Sequence, residues 1–142
     1  MYDRPTRREL LATIRAFLEG EVMPALEGRR AFHARVAANA LGIVERELEH
    51  AESQERLALE RLGELLDRRG SFEELELELC RRIREGEIGL DSPGLVEHLR
   101  ATTLAKLAVD QPRYASYRRA LEEWPGAAGR GVSAEDPGEA SE

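Results

Sequence analysis

The chain has 142 residues, enough for one domain and not comfortably two. It is 42% hydrophobic and 35% charged, a globular balance, and only 5% aromatic, so its core must be built from Leu, Ala, Val and Ile. Twenty-one basic residues against 28 acidic ones leave −7, which excludes nucleic acid and anionic membrane as default partners.

Cys80 is the single cysteine, which leaves no internal disulfide and suits a reducing cytoplasm. Its place among leucines on a predicted helix points to a small buried hydrophobe. No apolar run approaches the ~18 residues that span a bilayer. Met1 to Arg8 runs straight into charged residues without a signal segment, so the expectation is a cytoplasmic protein with no membrane partner.

Apolar residues recur every three or four positions, and no window alternates at period two, so helix is the regular structure expected throughout. Thr6 and Glu9 form a capping box that opens a first helix, with Leu10, Leu11, Ile14, Phe17 and Leu18 as its stripe. Gly20 and Pro24 end or kink it, and Gly28 marks the break. A second helix is predicted from about Arg30 to Glu49 and a third from about Gln54 to Arg69, with Gly70 at its C′ position. Ser71 and Glu74 make a second capping box for a fourth helix to about Glu85, with Leu75, Leu79 and Ile83 inward. Asp91 or Ser92 caps a fifth, with Pro93 at its first position, reaching about Asp110. A short sixth runs from Arg113 to Trp124. The fold expected is an all-α, single-domain bundle of five or six helices over residues 1–125, with the second and fifth helices central. Residues 126–142 are small, polar and acidic, and are expected to form a disordered tail.

At about 100° per residue, Phe32, Val36, Ala37, Ala40, Ile43, Val44 and Leu48 fill half the circumference of the second helix. His33 and Glu47 fall inside that arc and Asn39 at its edge. Either these three point into a shared cavity, or each is satisfied structurally. His33 and Glu47 are ~21 Å apart along the axis and cannot share one small site unaided. The fifth helix reads as apolar nearly all round, yet it contains Lys106, the one lysine beside 20 arginines. An ammonium taken out of water needs a carboxylate, and Asp110 and Glu47 are the candidates. On this reading Lys106 is mostly buried; snorkelling to the surface is the alternative. His33, Asn39 and Lys106 are thus candidate ligand-binding residues. There is no phosphate loop, no serine elbow and no pair of histidines at metal spacing, so no metal or cofactor is expected.

Three stretches, DRPT at residues 3–6, AFHARVAANAL at 31–41 and LAKLAVDQPRY at 104–114, resemble a bacterial family of small domains of unknown function. Its members tend to be encoded beside aminoglycoside-phosphotransferase-like kinases and acyl-CoA dehydrogenases. The resemblance implies no catalytic residue; it implies an accessory setting. The favoured expectation is a non-catalytic accessory protein that partners such a kinase or dehydrogenase, or associates with itself. The alternative is a binding protein or enzyme for an acyl or phosphorylated small molecule, with a pocket between the second and fifth helices.

Overall fold

The computed structural model describes residues 4–126 and is all-α, with five helices and no strand among the described residues. The helices are α1 (Arg7–Phe17), α2 (Gly28–Leu66), α3 (Phe72–Arg84), α4 (Leu95–Asp110) and α5 (Ala115–Glu123). Most of the tail assigned to residues 126–142 lies outside the described residues. Internal contacts divide the chain into two compact units, Met1–Glu52 and Ser53–Glu142, so the division falls inside α2.

In the first unit Thr6 caps α1 as expected. Its hydroxyl accepts from the Glu9 N–H at 3.2 Å, and the Glu9 carboxylate accepts from the Thr6 N–H at 2.7 Å. Past Phe17 the chain does not stop at Gly20. It winds through one π turn, Leu18–Val22, and one 3-10 turn, Met23–Ala25, before Leu26 turns extended. Pro24 is the physical cause: it lacks an N–H, and its ring crowds the carbonyl four residues back, so regular α geometry cannot continue. Two ion pairs then tie α1 to α2, Arg8 to Glu49 at 3.3 Å and Arg15 to Glu45 at 3.0 Å. Because the later α1 residue meets the earlier α2 residue, the two helices are antiparallel. Ala38 and Gly42, one turn apart, are the buried positions of this stretch of α2. A Cβ at Gly42 would stand 3.3 Å from the Arg46 guanidinium and 3.8 Å from that of Arg15. The tight approach is to the flexible end of Arg46; the distance to Arg15 is ordinary van der Waals contact.

In the second unit Leu62, Leu66, Leu75, Leu79, Ile88 and Leu95 form one buried cluster, with Leu59, Leu65 and Phe72 against it. A second cluster joins α4 to α5 through Leu104, Ala108 and Tyr117. Ser71 and Glu74 cap α3 reciprocally, as read from the sequence.

Several expectations need correction. The second and third predicted helices are one, 39 residues long. The stretch between Gly42 and Gly63 contains no Pro or Gly, so polarity alone was no reason to break it. That helix ends at Leu66, where Asp67, at φ +47°, occupies the left-handed C′ position assigned to Gly70. The Arg68 N–H returns to the Gly63 carbonyl and the Asp67 N–H to that of Glu64, closing the turn. α4 starts at Leu95 behind Gly94 (φ +85°), leaving Pro93 outside the helix; Ser92 instead braces the preceding turn through the Gly89 N–H. Cys80 and Ile83 are exposed, not buried. The apolar arc given to the second helix, expected to be central, lies at the surface: Phe32, Val36, Val44 and Leu48 are 41–57% exposed. A wide apolar arc says that a face is to be covered; it does not say by what.

Candidate functional site

The residues proposed from sequence do not assemble into a buried site. His33, Asn39, Glu47, Lys106 and Asp110 are all exposed. Lys106 and Asp110, one turn apart, form no ion pair, so the expectation of a buried, carboxylate-bonded lysine is corrected. α4 does have a buried face, carrying Leu95, His98, Ala101, Leu104 and Ala108, but Lys106 lies on its other side. Leu99, one of the residues that made that arc read as apolar, is itself 45% exposed. His33 accepts from the Arg29 Nε at 3.1 Å and its ring stands edge-on to Phe32, 5.7 Å between centroids.

What the first unit does present is a surface. Leu10, Ile14 and Phe17 of α1 and Phe32, Val36, Val44 and Leu48 of α2 are each 41–57% exposed. The four α2 residues lie along one arc, on the side of α2 away from the Ala38, Gly42, Glu45 and Glu49 positions that meet α1, and an apolar stripe of that kind left in water marks a candidate interaction surface. The sequence contained this signal, since the same arc was visible on the helical wheel; what it lacked was the partner.

The second unit holds a groove of about 410 Å³ between α4 and α5. Leu99, Leu104, Leu107 and Ala120 give it apolar walls, and Arg100 and Arg119 stand at its edge. Arg100 stacks on the ring of Trp124 with 4.4 Å to the centroid, and Glu123 also lines the groove, so its charged lining is two guanidinium groups against one carboxylate. Such a site suits an amphiphilic anion. None of the residues proposed from sequence lines it, whereas Trp124, the only tryptophan of the chain, does.

Away from that groove, His98 is 5% exposed and its Nδ1 has no hydrogen-bond partner. Burial, and then the nearby Arg61 charge, push its pKa below the usual histidine value, so the ring stays neutral. The Arg61 Nε, the Thr102 hydroxyl and the Tyr117 hydroxyl are likewise buried without partners. Burial raises the Tyr117 pKa. His98 does not line the α4–α5 groove, so no ligand reaches it from there. Among the described residues no group of three or more His, Cys, Asp or Glu could hold a metal ion, and no helix is long and apolar enough to cross a membrane.

No curated protein and no solved structure matches the chain. A family model does, over residues 24–114, a span that runs from the turn before α2 to the residue before α5. The chain belongs to the family described as domain of unknown function DUF6285.

Proposed function

We infer that the protein is a non-catalytic helical interaction module working in the cytoplasm, and that its working surface is the exposed apolar arc of α2 in the α1–α2 hairpin. The observation that carries this reading is the exposure of seven large apolar side chains on one short unit, four of them along one arc of α2. Surface of that extent is costly to leave in water, and rigid helices are well suited to present it to another protein. Resemblance to the bacterial family supplies candidate partners of known type, a phosphotransferase-like kinase or an acyl-CoA dehydrogenase. The test is co-purification of such an enzyme with the wild-type chain and with Phe32→Glu. Phe32 is 57% exposed and holds no core together, so the variant should stay folded and lose the partner. Equal recovery with both chains overturns the reading.

The α4–α5 groove supports a second reading, binding of an acyl or phosphorylated small molecule. Ligand that binds the native state must raise the melting temperature. An acyl-CoA panel should do so in the wild-type chain and fail in Arg100→Ala; no shift with any ligand removes this reading.

A further inference from the structure

We propose that the exposed face of α2 pairs with the same face of a second copy of this chain, antiparallel, about a two-fold axis passing beside Ala40. The proposal deepens the interaction-module reading and rests on it.

The face is self-complementary in its residues. A two-fold axis at Ala40 sets residue i level with residue 80−i of the other copy. Val36 then meets Val44, Ala37 meets Ile43, and Phe32 comes level with Leu48, so apolar residues meet apolar residues at each of these levels. Ala40 itself, exposed and at the middle of the arc, is small enough for two helix backbones to approach closely. A point on the axis is where small size matters most, because there the residue faces its own copy.

The charges follow the same symmetry. The N-terminal end of this stretch is basic, with Arg29, Arg30 and Arg35 and no acid between Gly28 and Asn39. The C-terminal end carries Glu45, Glu47, Glu49 and Glu52 against Arg46 alone. Antiparallel pairing therefore lays the basic end of each copy along the acidic end of the other. It also gives His33 and Glu47 a role that one chain cannot give them. They lie inside the apolar arc, ~21 Å apart along the helix axis. About Ala40 they are symmetry partners, 33 and 47, so Glu47 of each copy meets His33 and the Arg29 bonded to it in the other. Within one chain Glu47 has no ion pair among the described residues, whereas its neighbours Glu45 and Glu49 are each committed to α1.

The contact is a single helical stripe from Phe32 to Leu48, at the small end of specific interfaces, so the pairing expected is concentration-dependent.

The experiment is sedimentation of the full chain across a hundredfold concentration range, with helical circular dichroism as the control for folding. The wild type should sediment at twice the chain mass. Val36→Glu should raise the dissociation constant at least tenfold at unchanged helicity. Glu47→Arg should weaken pairing, and Arg29→Glu combined with Glu47→Arg should recover it, because the double reversal restores opposite charges across the two-fold. In a Cys80→Ser background, Ala40→Cys should give a disulfide-linked dimer on mild oxidation, which reads out the register directly. A dimer in which Ala40→Cys does not cross-link and charge reversal has no effect overturns the Ala40 register. A wild-type monomer at every concentration overturns self-pairing. If Val36→Glu in that monomer still abolishes capture of a kinase or dehydrogenase, the interaction-module reading stands without the dimer; if it changes nothing, both fall.

Discussion

Single side chains here show how far an ionisable group is governed by its neighbours. Glu78, on α3, accepts from Arg81 at 2.9 Å and from Arg82 at 2.8 Å, and Arg81 also reaches Glu85 and Glu87. Hydrogen bonds from Arg81 and then Arg82 hold the Glu78 carboxyl down at about 2, from the ordinary glutamate value of 4.5. A carboxyl with a lowered folded pKa binds fewer protons when native, so it favours the fold above pH 4.5 and that support drains away as pH falls toward 2. Thermal unfolding followed from pH 5 to pH 2 should therefore show a decline in melting temperature that is shallower in Glu78→Gln. Because the cluster is at the surface, salt should flatten the wild-type decline as well. Lys106 teaches the opposite lesson. It is the one lysine in an arginine-rich chain, yet rarity is a property of composition, and the residue is exposed.

At the scale of elements, what the sequence made legible was whatever a local rule decides. Both capping boxes, Thr6 with Glu9 and Ser71 with Glu74, are present because a hydroxyl and a carboxylate three residues apart satisfy the same two N–H groups wherever they occur. The ends of α2 and α4 were read less well. Asp67 takes a left-handed conformation that glycine adopts more easily, and Gly94, also left-handed, stands at the cap expected at Asp91 or Ser92. The candidate site was the least legible part. Periodicity reports which face of a helix avoids water but is silent on whether α3, α4 or another molecule covers it. For the C-terminal part of α2 the cover is in the chain: Leu62 is fully buried between Leu66, Leu75, Leu79 and Leu95. Leu62→Ala leaves a void that such rigid neighbours fill poorly, and should cost about 2–5 kcal/mol in chemical denaturation. A loss under about 1 kcal/mol would mean that this cluster is not the core.

For the molecule as a whole, one helix serves two units of very different strength. The Ser53–Glu142 unit has two buried clusters of large side chains. The Met1–Glu52 unit buries Ala38 and Gly42 and relies on two ion pairs whose side chains are partly in solvent, each worth about 0–1 kcal/mol. A hairpin with so little core opens easily, since helical hydrogen bonds alone leave short helices marginal in water. Amide exchange should therefore be graded along α2 itself. In dilute protein, amides of residues 31–48 should exchange roughly 100-fold faster than those of 58–66, although both belong to one continuous helix. Concentrating the protein should slow the first group, because a partner that binds only the closed hairpin stabilises it by mass action, and should leave the second group and residues 98–108 unchanged. Uniform protection along α2 in dilute protein would mean that the hairpin is held by contacts within the chain, and that its exposed apolar face costs the fold nothing. A gradient that ignores concentration would mean that the hairpin is weak but has no second copy to close it.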